Sequence, residues 1–104
     1  MKRLTGLFPS MKIEFTEEAL QNLYEIAEYI YEETCSKSIT AKNIRKLKAF
    51  TKASLIDFPK LGRPAEEFGI NIRKLVYHRY CILYIIQEKH IDIIAIYREN
   101  LPNI

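Results

Sequence analysis

A chain of 104 residues, 48% apolar and with a formal charge of +3, has material for one packed domain and no more. Its core can close without a metal or disulfide staple, and no apolar run is long enough to span a bilayer. Charge alone does not make it a nucleic-acid binder, because the excess is small and unevenly placed. Residues 14–33 hold seven acids and no Lys or Arg, whereas residues 37–63 hold eight bases against one acid, Asp57. Two solvated helix faces attracting one another explain this at least as well as a nucleic-acid patch does.

The first ten residues carry Lys2 and Arg3 but too short an apolar stretch for a secretory signal. Regular patterning opens at Met11. Residues 1–10 are therefore read as an extension and 11–104 as a single domain. Cys35 and Cys81 fall in different elements and fit no metal spacing; the sequence allows them paired or free, and free thiols in a reducing cytoplasm are the expectation.

In chain order, residues 12–15 read as a short strand with Ile13 and Phe15 on one side. Thr16 is placed to cap a helix whose first turn carries Glu17 and Glu18, where the dipole favours acids. Leu20, Leu23, Tyr24, Ala27, Ile30 and Tyr31 recur at helical spacing, predicting an apolar stripe on a helix over 17–34. A second helix is expected from Ser38 or Thr40, burying Ile44, Leu47, Thr51 and Leu55, with its bases largely opposite. The short link favours an antiparallel pair. Pro59 stops the second helix. Leu61-Gly62-Arg63-Pro64 is turn chemistry, followed by a loop.

Three strands are predicted over 71–77, 80–87 and 91–97. His78-Arg79 and Glu88-Lys89-His90 serve as the hairpin turns, of undefined type because neither contains Gly or Asn. A phase change between Ile72 and Leu75 suggests a bulge. The middle strand, Tyr80-Cys81-Ile82-Leu83-Tyr84-Ile85-Ile86, does not alternate, so both of its faces should be covered. The fold class is α+β, in the order β-α-α-β-β-β: a helical hairpin on a small, mainly antiparallel sheet.

That order, with the wording of its joints, resembles the RelE/ParE superfamily of small bacterial toxins. The matching pieces are Phe15-Thr16-Glu17-Glu18-Ala19, Leu23-Tyr24-Glu25-Ile26-Ala27-Glu28-Tyr29-Ile30 and Leu55-Ile56-Asp57-Phe58-Pro59-Lys60-Leu61-Gly62-Arg63-Pro64. Ile72-Arg73-Lys74-Leu75, Tyr80-Cys81-Ile82-Leu83-Tyr84 and Ile93-Ile94-Ala95-Ile96-Tyr97-Arg98 complete the set. The long helical hairpin and the Leu-x-x-x-Pro-x-x-Gly-Arg-Pro joint look more like the ParE branch, the plasmid-stabilisation toxins. The resemblance implies the toxin half of a toxin–antitoxin pair, acting in the cytoplasm. It also implies a cognate antitoxin whose segment orders on the toxin; acidic, amphipathic chemistry suits that segment. The ParE branch is associated with poisoning DNA gyrase, the RelE branch with cutting messenger RNA on the ribosome.

Metal-free cleavage of an RNA phosphodiester needs a base, an acid and cations for the developing phosphate charge. The resemblance places an Arg just after the first Tyr of the middle strand. Here that residue is Cys81, which has no guanidinium fork. The catalytic candidates are then Arg73, Lys74, Arg79, Tyr97 and Arg98; Arg63, Arg73, Lys74, His78 and Arg79 are the candidates for target or partner binding. Each has a plain structural alternative. Arg73 and Lys74 could protect a sheet edge, Arg63 could anchor its loop to a carboxylate, and Tyr97 could be packing. His78, Arg79 and His90 could be ordinary turn residues. No cofactor, metal or membrane is expected, and nucleic-acid contact only indirectly. The leading reading is a ParE-like toxin that binds a large target and is not an enzyme. The alternatives are a metal-independent, ribosome-dependent endoribonuclease and a degenerate, non-toxic family member.

Overall fold

The structure is a computed structural model, and it describes residues 11–99. The N-terminal extension expected over 1–10 lies outside those residues. The elements are β1 (Lys12–Phe15), α1 (Glu17–Thr34), α2 (Lys37–Asp57), β2 (Arg63–Pro64), β3 (Ile72–Tyr77), β4 (Tyr80–Ile86) and β5 (His90–Arg98). They form one five-stranded sheet in the order β1-β5-β4-β3-β2, with both helices on one face. The pairings are antiparallel except β1–β5, which is parallel. No helix among the described residues is long and apolar enough to cross a membrane.

Both helices begin where a side chain can satisfy a free amide. The Thr16 hydroxyl accepts from Ala19 N at 3.2 Å and donates to Ile93 O at 3.0 Å, so one residue caps α1 and ties it to β5. Ser36, not Ser38 or Thr40, caps α2, accepting from Ile39 N at 3.1 Å. The hairpin between the helices is therefore tighter than expected. It is closed by Cys35 in the left-handed region at φ 53°, whose amide donates to Tyr31 O.

The buried side of α1 also differs from the predicted stripe. Ala19, Leu23 and Ile26 are buried and Ile30 packs beside them, whereas Leu20, Tyr24 and Tyr31 are exposed. Apolar residues surround much of this helix, so periodicity alone could not choose between the side facing the sheet and the side left outside. On α2, Leu47, Thr51 and Leu55 are buried as expected, with Ile44 half-buried. Buried Thr51 satisfies its hydroxyl by donating to Leu47 O. Among the described residues no ion pair joins acidic α1 to basic α2; Lys48 and Lys52 lie over the Phe15 ring instead.

In the sheet, β4 is central, and Cys81, Ile82, Leu83 and Tyr84 are all buried. Ile82 and Tyr84 face the helices together with Leu75, Ile91, Ile93 and Ile96. Pairing between β3 and β4 is continuous, so there is no bulge at Ile72–Leu75. The irregularity lies in β4–β5, where Leu83 faces Ala95 and Tyr84 faces Ile93, leaving Ile94 extra. This keeps large apolar residues on the helical side of a strand nine residues long. Beyond Ile93, β5 has no strand partner on the β1 side. Asn22 of α1 covers that gap, its Oδ1 accepting from Ile96 N at 2.9 Å. His90 belongs to β5, not to the turn before it.

Candidate functional site

The joint after α2 is built around Tyr84. Its ring is wholly buried, its hydroxyl donates to Pro59 O at 2.7 Å, and it accepts from Gly62 N at 2.9 Å. Arg73 completes the clamp, donating from Nε to Gly62 O at 2.9 Å and from Nη2 to Lys60 O at 3.1 Å. A Cβ at Gly62 would lie 2.6 Å from Lys74 O and 2.9 Å from the Tyr84 ring, so the backbone approaches too closely for any other residue. The next two residues pair with β3 as an edge strand, Arg63 opposite Lys74 and Pro64 opposite Arg73. The stretch read as a plain turn is thus half strand, with Pro in an edge position. The guanidinium of Arg73 is occupied by loop carbonyls, which places this residue in the scaffold.

Lys74 points the other way, onto the sheet face away from the helices, among the register neighbours Arg63, Leu83 and Cys81. Tyr97 is opposite Cys81 on β5 and joins the same patch. Its ring packs against Phe68 of the loop after β2, with centroids 6.0 Å apart. Lys74 Nζ is 3.5 Å from Glu99 Oε1, with only 12% of its side chain exposed. Arg63 forms a 2.8 Å ion pair with Glu67, one turn further along the chain.

The electrostatics of the patch follow from burial and pairing. Burial alone would lower the Lys74 pKa, but the acidic groups around it, Cys81, Tyr97 and Glu99, raise it instead. Thiol and phenol attract only when ionised, so Glu99 carries this effect at neutral pH. Burial raises the Tyr97 pKa, helped by Cys81 and opposed by Lys74. At neutral pH the patch holds an ammonium, a guanidinium and a protonated phenol, donors suited to an anionic group, with the Glu67 and Glu99 carboxylates each engaged by one of the two cations.

The remaining candidates do not join this patch. Arg98 faces the helical side and stacks on Tyr29, its guanidinium carbon 4.4 Å from the ring centroid; the hydrogen bond to Tyr29 raises its pKa further. Asn22, Glu25, Tyr29, Tyr80 and Arg98 line a pocket of about 370 Å³ beside it. His78 and Arg79 form the exposed tip of the β3–β4 hairpin, His78 at φ 55° with its ring edge-on to Tyr77. Cys81 has no exposed surface. The seven candidates therefore occupy three places: Arg63, Lys74 and Tyr97 on the far face, Arg73 and Arg98 bound to the scaffold, and His78 and Arg79 at a hairpin tip.

One further feature was invisible in the sequence. A groove between the helices, about 630 Å³, is lined by Tyr24, Ala27, Tyr31, Ala41 and Ile44, with Lys37 and Arg45 among its walls. It was missed because Tyr24 and Tyr31 were assigned to the core.

A helical hairpin laid on a five-stranded mixed sheet in this order is a RelE/ParE-like toxin fold. A solved chain described as the chromosomal ParDE TA system from P. aeruginosa shares it, at a TM-score of 0.70 and 19% identity, over 86% of this chain and 97% of that one. The sequence itself matches the profile of the ParE toxin of type II toxin-antitoxin system, parDE, over residues 13–100. The chain belongs to the ParE toxin family, as the resemblance in its motifs implied. A search of curated proteins finds no match.

Proposed function

We propose that this protein is a growth-inhibiting toxin that acts by binding a large macromolecular target, DNA gyrase, and is neutralised by a cognate antitoxin. Family membership supports the toxin role. The observation that most favours binding over RNA cleavage is the state of the cations. Arg73 is bound to Gly62 and Lys60 carbonyls, Arg98 to Tyr29, and Cys81 fills the position after the first Tyr of the middle strand, where the family's usual pattern has Arg. What remains on the far face, Lys74 and Arg63 with protonated Tyr97, can hold an anionic group, and the carboxylates beside it, Glu99 and Glu67, are each paired with one of these cations.

The groove between the helices supports the antitoxin part of the reading. Its apolar lining, with two bases, Lys37 and Arg45, against one acid, Glu28, suits an amphipathic segment with acidic flanks, docking helix-in-groove. The test compares two assays on purified protein: supercoiling by gyrase, and primer-extension maps of messenger RNA on ribosomes. Inhibition of supercoiling without new message ends is expected. Ribosome-dependent cuts with unaffected gyrase would replace this reading with the nuclease one. Induction alone should arrest growth, and co-expression of the neighbouring small open reading frame should relieve the arrest. Normal growth at high soluble expression would leave the degenerate reading.

A further inference from the structure

We propose that Glu14, His90 and Asp92 form a binding site for one divalent first-row transition-metal ion, Zn²⁺ being the best match, which clips edge strand β1 to β5. The argument starts from register. In the parallel β1–β5 pair Lys12 is opposite His90 and Glu14 is opposite Asp92. Because side chains alternate, these four residues share the face away from the helices, while Ile13 and Phe15 turn inward with Ile91 and Ile93. Residues 76 positions apart in the chain are thereby set side by side at the corner of the sheet diagonal to Lys74 and Tyr97.

The distances suit a common ion. His90 Nε2 is 3.3 Å from Asp92 Oδ1 and 4.0 Å from Glu14 Oε2, and one ligand atom from each residue lies within 4.8 Å of the others. A tetrahedral ion with bonds of about 2.1 Å separates its ligand atoms by about 3.4 Å. Asp92 and His90 already meet that spacing, and Glu14 reaches it with a small turn of an exposed side chain.

The carboxylates are also oriented from outside. Gln87 Nε2 lies 3.4 Å from Asp92 Oδ2, and Lys12 Nζ lies 3.3 Å from Glu14 Oε1. In each acid the neighbour takes one oxygen and leaves the other toward His90. This is the outer-shell arrangement of metal sites, where such partners fix how the ligands point. Among the described residues Lys12 is the cation paired with this cluster, and its side chain is 76% exposed. One imidazole and two carboxylates leave positions open for water, a donor set suited to Zn²⁺, Co²⁺ or Ni²⁺ more than to Ca²⁺.

The test titrates the full chain with ZnCl₂ by calorimetry in a Cys35→Ser background, because Cys35 is an exposed thiol that would compete. Saturable binding of one ion per chain is expected. His90→Ala and Asp92→Asn should each weaken it by more than about tenfold, since outer-shell changes alone reach about that size. Co²⁺ should give a visible spectrum without a thiolate charge-transfer band, and saturating Zn²⁺ should raise Tm by about 4 °C or more. No saturable binding up to about 1 mM Zn²⁺ would overturn the proposal. So would affinity unchanged in folded His90→Ala and Asp92→Asn, or one ion shared between two chains. The outcome is independent of whether gyrase is the target.

Discussion

The two faces of the sheet are built on different principles, although both bury the centre of β4. On the helical face, Ile82, Tyr84, Ile91, Ile93 and Ile96 pack against Leu23, Ile26, Leu47 and Leu55, and the hydroxyls carried inside on Tyr84 and Thr51 are hydrogen-bonded. On the far face, apolar Cys81 and Leu83 share the surface with polar pairs: Lys74 with Glu99, Arg63 with Glu67, His90 with Asp92. One face holds the fold by area, the other carries chemistry that can change partner. Substitutions on the first should register in stability, and on the second in binding.

The largest effect should come from the helical face. Ile82→Ala opens a cavity at the centre of the sheet and should cost about 2–5 kcal/mol in a urea melt. A loss below about 1 kcal/mol would mean the core relaxes around Ile82, and the contrast between the faces would collapse. Next comes the clamp at its lower edge. Tyr84→Phe strands the buried Gly62 amide and the Pro59 carbonyl and should cost about 1–3 kcal/mol. Gly62→Ala should cost a similar amount, because the added methyl meets backbone as well as the ring.

Much of this architecture could be read from the sequence, and the failures share a cause. Thr16 as a cap, the exact span of α1, the stop at Pro59 and the burial of β4 each rest on signals local to a few residues. The parallel β1–β5 pair does not. It is a contact between the two ends of the chain, and nothing in Lys12-Ile13-Glu14-Phe15 names its partner. The Glu14–His90–Asp92 cluster follows from that pairing and was illegible for the same reason. The outward turn of Tyr24 and Tyr31 shows the limit of periodicity on a helix with apolar residues on several sides. The motif Arg73-Lys74 shows another. Two adjacent bases look alike in sequence, but strand alternation sends one into the loop clamp and the other to the far face.

That split gives a sharper prediction. Arg73→Ala removes hydrogen bonds to two loop carbonyls and should cost about 1–2 kcal/mol, with any loss of toxicity following the loss of folded protein. Lys74→Ala breaks the 3.5 Å pair with half-exposed Glu99 and the contact with Tyr97 but strands no backbone carbonyl, and should cost about 1 kcal/mol. If the far face contacts the target, Lys74→Ala should still lower toxicity in a growth assay. A stable Arg73→Ala protein without toxicity, beside a fully toxic Lys74→Ala protein, would reverse the assignment of the two faces.

The smallest effect tests the electrostatics of both faces at once. Tyr80 faces the helices and Tyr97 faces away, and burial raises the pKa of each above the ordinary 10.0. A phenol whose folded pKa is raised favours the protonated folded state. Its stabilising contribution is complete below the unfolded value and disappears as pH climbs through the folded one, because the unfolded chain ionises first. Lys74 acts in the same direction: its ammonium holds its proton more tightly in the fold than the ordinary 10.5, so its contribution also fades under alkali. The urea midpoint of the native chain should therefore fall between about pH 9 and about pH 11. Tyr80→Phe and Tyr97→Phe should each flatten that fall, since Phe has no proton to lose. Each phenol also has a cation that opposes its shift, Lys74 beside Tyr97 and Arg98 beside Tyr80, and salt screens both. Added salt should therefore steepen the alkaline fall on both faces. A variant whose profile matches that of the native chain would mean that burial does not raise the pKa of that phenol.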